Sequence, residues 1–215
     1  MDFKPGHLYH IYNQGNNRQQ TYFTPDDYLI FIRLTRKLLI PQAELIAWCL
    51  MPNHFHFMLY TDERCAQLKK QGGIYLDPVT NALRKLLSSY ARIFNNRYNR
   101  TGSLFRQKTK SKSLTDISID VRKNDVLNIE AYYAAGFHYI HQNPLKARMV
   151  RNLAEWEYSS YKDYAGLRGG TLCNKAIAKK FCLYNSETFV KNSCIPLSDK
   201  ILDTFIPTVG PGRSD

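Results

Sequence analysis

The chain has few acidic residues, and none where its basic residues are densest. Its 215 residues include 18 Asp and Glu against 30 Lys and Arg, a formal net charge of +12 with a pI near 9.5. Between Asp77 and Asp116 no carboxylate occurs, yet nine cations do: Arg84, Lys85, Arg92, Arg97, Arg100, Arg106, Lys108, Lys110 and Lys112. Solvated surfaces ordinarily mix signs because like charges repel, so this stretch points to a polyanionic partner. No apolar run approaches the roughly 20 residues of a membrane span. The N-terminus lacks the basic start and apolar stretch of a signal peptide, so a cytoplasmic protein without membrane contact is expected. The five cysteines are odd in number and form no Cys-x-x-Cys pair, which argues against a disulfide framework and a structural zinc site. No Gly-x-x-x-x-Gly-Lys loop is present to cradle a nucleotide.

The length suits one domain, or a core domain with an extension. His7–Tyr12 alternates like a strand and leads into a polar turn, Asn13–Arg18. Thr24-Pro25 starts a helix running to about Leu38. Glu44–Leu50 is an almost unbroken apolar strand, which predicts a central place in a sheet. Pro52-Asn53 turns the chain back into an antiparallel strand to about Thr61, and Asp77-Pro78 caps a long helix to about Tyr98. Gly102–Leu114 reads as a fourth strand, on which Arg106, Lys108, Lys110 and Lys112 share one face. That face could meet a phosphate backbone, or it could be a charged edge that discourages aggregation. A last helix spans 128–142 and stops at Asn143-Pro144. The order predicts an α+β fold, a ferredoxin-like antiparallel sheet (split βαβ) with this C-terminal helix packed beside it. From about residue 167 the composition changes; 1–166 is expected to be one domain and 167–215 an extension of unread role, helical within 174–189 and loop-like from Pro207.

His54 and His56 stand two apart on the returning strand, so both imidazoles share one face while Phe55 and Phe57 take the other. Paired imidazoles make good metal ligands; two surface histidines on a half-exposed strand are the plainer reading. Tyr139 and Asn143 are one helical turn apart. A phenol can act as a nucleophile, and an amide oxygen is a hard ligand suited to Mg²⁺ or Mn²⁺. A packing tyrosine and a common Asn-Pro helix stop account for the same pair.

Pro52-Asn53-His54-Phe55-His56 followed by Tyr139-Ile140-His141-Gln142-Asn143-Pro144 resembles the single-tyrosine HUH transposases of bacterial insertion sequences, closest to their REP-associated branch. Three further stretches match in the family's order: Tyr9–Arg18, Gly102–Phe105 with Lys110-Ser111-Lys112, and Trp156–Tyr161. The resemblance covers about residues 6–166 and implies a metal-dependent enzyme that cleaves and rejoins single-stranded or hairpin DNA through a 5′-phosphotyrosine. Carried over residue by residue, it implies that Tyr139 is the nucleophile and that His54, His56 and Asn143 bind a divalent metal ion, Mg²⁺ or Mn²⁺. Tyr132, seven residues earlier on the same helical face, competes as nucleophile, but Gly136 stands where its amide partner would be. DNA contacts are expected from Arg84, Arg92, Arg106, Lys108, Lys110 and Lys112, with Asn13, Asn16, Asn17 and Arg18 as a base-reading loop. Insertion-sequence relatives act as dimers and the REP-associated branch can be monomeric, so a homodimer is one expected assembly. The alternative function is a hairpin-binding protein that no longer cleaves. A larger replication nickase would need more chain, and the 18 acidic residues offer no convincing triad for carboxylate-based transposition.

Overall fold

A computed structural model describes residues 1–116 and 129–205. Among these residues six strands, β1 (His7–Gln14), β2 (Glu44–Met51), β3 (His54–Thr61), β4 (Lys69–Gln71), β5 (Ile74–Leu76) and β6 (Lys110–Ser113), accompany seven α-helices. These are α1 (Pro25–Leu38), α2 (Pro78–Arg97), α3 (Ile129–Lys146), α4 (Tyr161–Tyr164), α5 (Lys175–Phe181), α6 (Phe189–Ser193) and α7 (Asp199–Phe205). The main sheet runs in the order β2-β3-β1-β6, every neighbouring pair antiparallel. This is the split βαβ arrangement of an α+β fold, with α1 and α2 as the two crossovers. A separate hairpin is formed by β4 and β5.

The caps fall where the sequence places them. Asp27 Oδ2 accepts the Thr24 backbone N–H at 3.0 Å, and Asp77 Oδ1 accepts that of Thr80 at 2.7 Å. Each supplies an acceptor to a helix start whose first N–H groups have no intrahelical partner. The start of α3 expected at Asn128, and the loop from Pro207, lie outside the described residues.

Period-two alternation gives the sheet two apolar faces. Tyr9, Ile11, Phe55, Phe57 and Leu59 point into one core with Phe31 of α1 and Leu83, Leu86, Tyr90 and Phe94 of α2. Leu8, Met58 and Cys49 point into the other, built on Phe137, Tyr139 and Ile140 of α3. Helix α3 therefore packs on the sheet face opposite the crossovers. Ala178, Cys182, Phe189 and Phe205, all beyond residue 166, complete this second core.

Four expectations need correction. The last helix does not stop at Asn143-Pro144: α3 runs on to Lys146 with Pro144 inside it. The proline removes only the bond to Ile140 O, which the Asn143 amide replaces (3.3 Å), while Ala147 N still donates to Asn143 O (2.9 Å). Strand β2 is not central: it lies at one end of the sheet. Its apolar run reflects burial on both faces, and its free edge is covered by hydrogen bonds rather than by another strand. Leu50 N donates to Tyr158 O (2.8 Å), Ser160 N to Trp48 O (2.9 Å) and Asn174 N to Leu45 O (2.8 Å). The fourth strand is far shorter than 102–114. An isolated bridge joins Gly15 to Phe105, regular pairing resumes only at Tyr12 with Lys110, and so 106–109 loops out opposite Asn13 and Gln14. Helix within 174–189 is likewise interrupted after Phe181, where Leu183 takes a left-handed conformation (φ 53°).

Gly15, at the end of β1, is set by close approach. A Cβ there would sit 2.3 Å from the backbone oxygen of Gln19, so the turn into Asn16–Arg18 closes only around glycine.

Candidate functional site

Strand β3 delivers its histidines to the α3 face by register. His54 lies opposite Gln14 of β1 and Met51 of β2, and His56 opposite Tyr12 and Cys49. The two imidazoles stand 5.0 Å apart, centre to centre, at 86°. His54 Nδ1 lies 2.6 Å from Asn53 Oδ1, and His56 Nδ1 lies 2.9 Å from Nε2 of His10. Among the described residues, Nε2 of neither His54 nor His56 has a hydrogen-bond partner in the protein. Burial pushes His54 down to about 4, and it holds His56 well below the ordinary imidazole value, with His10 and His54 adding to the effect. Both rings are therefore neutral near pH 7, the form in which imidazole ligates metal.

Helix α3 brings Tyr139 to the same place. Its ring meets His56 edge-on at 5.8 Å and His10 edge-on at 5.7 Å. Burial, with smaller contributions from Tyr12 and Cys49, pushes the phenol up to about 12. Lys146 lies over the ring at 5.0 Å. Phe205 of α7 stacks on it at 5.5 Å and 21°, leaving Tyr139 only 6% exposed. Tyr132, the competing nucleophile, is buried against Phe205 at 4.9 Å, and among the described residues no histidine ring touches it. The geometry thus sets Tyr139, and not Tyr132, beside the imidazoles.

Asn143 sits one turn beyond Tyr139, and Pro144 explains its pose. Proline has no N–H, so the carbonyl of Ile140 loses its helical donor. Asn143 Nδ2 turns back to that carbonyl (3.3 Å) and to Tyr139 O (2.9 Å). With the NH₂ end so engaged, the amide oxygen is left for another partner. Among the described residues no three His, Cys, Asp or Glu side chains are grouped to hold a metal ion. Two neutral imidazoles whose Nε2 atoms have no protein partner among the described residues, and an amide oxygen one turn from Tyr139, are donors whose chemistry fits a borderline or hard divalent cation.

The basic residues divide. A groove of about 670 Å³ between α2 and the 103–111 segment is lined by Arg84, Arg106, Lys108 and Lys110. Arg92 is exposed on α2 and is not part of that lining. Lys110 and Lys112 lie opposite Tyr12 and His10 in the register, so they share the histidine face. Lys112 is committed to the carbonyl of Thr204 in α7. Asn13 is 3% exposed, its amide donating to Arg106 O (3.1 Å) and Thr109 Oγ1 (2.9 Å), so it holds the 106–109 loop. Asn16 donates to Ser103 O at 3.1 Å. Asn17 and Arg18 are exposed with left-handed backbone (φ 53° and 58°), and their side chains are free to face a partner.

Sequence reasoning missed His10 and Phe205. The signal for His10 was present, since it shares a strand face with Tyr12, which pairs with His56. Phe205 had none, because the tail's path over α3 is a tertiary event.

No family model matches the chain, and no curated protein matches it. The chain is similar to a solved structure described as a REP-associated tyrosine transposase bound to a REP hairpin. The match has 15% identity and a TM-score of 0.53, and it covers 81% of this chain and 92% of that one. At that identity the likeness is one of fold.

Proposed function

We propose that this protein is a metal-dependent DNA endonuclease and strand-transferase that cleaves and rejoins single-stranded hairpin DNA, with Tyr139 as nucleophile. The observation that carries the reading is the cluster in which the Tyr139 ring meets His56 and His56 meets His54, both imidazoles neutral and their Nε2 atoms without a protein partner among the described residues. The likeness in fold to a transposase bound to a hairpin supports it, as does the basic groove between α2 and the 103–111 segment.

Tyr139 Oη would attack the phosphorus, form a bond to it and expel the 3′-oxygen, which leaves as a 3′-hydroxyl. The 5′-phosphate stays on the tyrosine, and a second 3′-hydroxyl can reverse the step and join strands without an external energy source. A phenol held up to about 12 gives up its proton reluctantly, so charge stabilisation at the phosphate is needed. A divalent ion held by His54, His56 and Asn143 would supply that stabilisation and orient the phosphate for in-line attack. Arg84, Arg106, Lys108 and Lys110 would hold the DNA backbone.

The test is a denaturation-resistant protein–DNA adduct, formed with labelled hairpin oligonucleotides and Mn²⁺ or Mg²⁺. An adduct that requires metal and disappears in Tyr139→Phe is the expected result; an adduct that persists in Tyr139→Phe refutes the assignment. A second reading, a hairpin binder that does not cut, draws on the Phe205 stack that shields the phenol. Tight binding of a broad hairpin panel with no adduct in either metal would favour it.

A further inference from the structure

We infer that His10 and Asn53 are positioning residues that fix His56 and His54 in the tautomer with the proton on Nδ1, leaving both Nε2 atoms as ready metal donors. This rests on the metal site proposed above and adds to it two residues that touch neither the phosphate nor the ion.

The His54 tautomer is set by an amide. Asn53 Nδ2 donates to Arg18 O at 3.1 Å, which sets the orientation of the amide and turns Oδ1 toward His54. An oxygen can only accept, so the 2.6 Å contact requires a proton on His54 Nδ1. The neutral ring then carries none on Nε2.

The His56 tautomer is set by a second ring. His10 is 2% exposed, and its ring lies nearly parallel to that of His56, 15° apart at 5.1 Å. The Nε2–Nδ1 contact of 2.9 Å between two neutral imidazoles holds one proton, on one ring or the other. The far nitrogen of His10 decides which. The backbone carbonyl of Phe205 favours protonation of His10, and Nδ1, buried without a hydrogen-bond partner among the described residues, is the ring nitrogen that His56 leaves unengaged. With Nε2 turned to His56, Nδ1 is the nitrogen left to carry the His10 proton. Its Nε2 is then the acceptor and His56 Nδ1–H the donor. Ligating histidines are commonly held this way by a partner on the second nitrogen, and loss of the partner typically lowers metal affinity about 10–100-fold.

The deciding measurement is histidine-selective ¹⁵N nuclear magnetic resonance on the metal-free full chain, which reads each tautomer directly and needs no DNA. The expected spectrum shows Nδ1–H on His10, His54 and His56; Nε2–H on His56 or His54 overturns the inference for that residue. Calorimetric titration with Mn²⁺ alone supplies a second readout. His10→Phe, which fills the space but accepts no hydrogen bond, is expected to weaken Mn²⁺ binding about 10–100-fold. His10→Gln, whose amide oxygen reaches the position of the lost Nε2, is expected to restore most of it. Equal Mn²⁺ affinity in folded His10→Phe and wild type overturns the positioning role. A wild type with these tautomers but no Mn²⁺ binding refutes the metal-dependent reading instead, so the two failures are distinct.

Discussion

Replacing Phe205 with alanine is expected to uncover the nucleophile without dismantling the sheet. Phe205 is fully buried, stacks on Tyr132 and Tyr139, and lies where a Cβ on Gly136 would come within 3.0 Å of its ring. Phe→Ala at such a site costs about 3–5 kcal/mol. Short α7 reaches its neighbours through this ring, through partly buried Ile201 and Leu202, and through the bond from Lys112 to Thr204. The cost should therefore fall on opening of α7 and not on the global fold. Taking the lower figure, about 3 kcal/mol raises the open population roughly 100-fold. Hydrogen exchange should show amides of 201–205 speeding up by about that factor while those of β1 keep their protection. Adduct formation at Tyr139 should accelerate in parallel until opening no longer limits it. If β1 amides speed up equally, Phe205 belongs to the global core and the reasoning fails. If α7 loosens and the adduct rate does not change, the stack is not what shields the phenol.

Acid should unfold the protein through its histidines. Burial pushes His10, His54 and His138 down to about 4, and His56 and His141 well below the ordinary value. Unfolding lets each bind a proton below about pH 6.5, so the stability they contribute is present above that pH and is lost as pH falls toward 4. The expected slope is roughly 1.4 kcal/mol per pH unit for each histidine that takes up a full proton. Urea midpoints that stay flat between pH 7 and 5 would contradict this. Ala at Arg106, Lys108 or Lys110 should each lower the slope of log K against log salt for single-stranded DNA by about 0.7. Fluorescence anisotropy measures it, and three unchanged slopes would remove the groove from the DNA path.

The histidine pair was legible because strand parity is a local rule: residues 54 and 56 share a face wherever the strand lies. The helix starts at Thr24 and Asp77 were legible for the same reason, since capping chemistry acts within four residues. Neighbour relations were harder to read. Burial on both faces gives β2 the same apolar run whether it is central or at the edge, and only the 156–160 segment and Asn174 reveal which. Arg106, Lys108, Lys110 and Lys112 mimic a strand by alternation, but two extra residues opposite Asn13 and Gln14 break the ladder. The surroundings of the site were split in the same way. Asn53 is adjacent in sequence to His54, whereas His10 reaches His56 by sheet pairing and Phe205 reaches Tyr139 by a helix far along the chain.

The covered edge of β2 also bears on assembly. An open strand edge invites a second chain to continue the sheet, but the outward backbone groups of Leu45, Trp48 and Leu50 are already bonded within the same molecule. The opposite edge offers only the four residues Lys110–Ser113, two of them lysines, a poor template for a partner strand. Two copies joining through β2 would have to strip the 156–160 segment from it first, so among the described residues this edge is closed to pairing between copies.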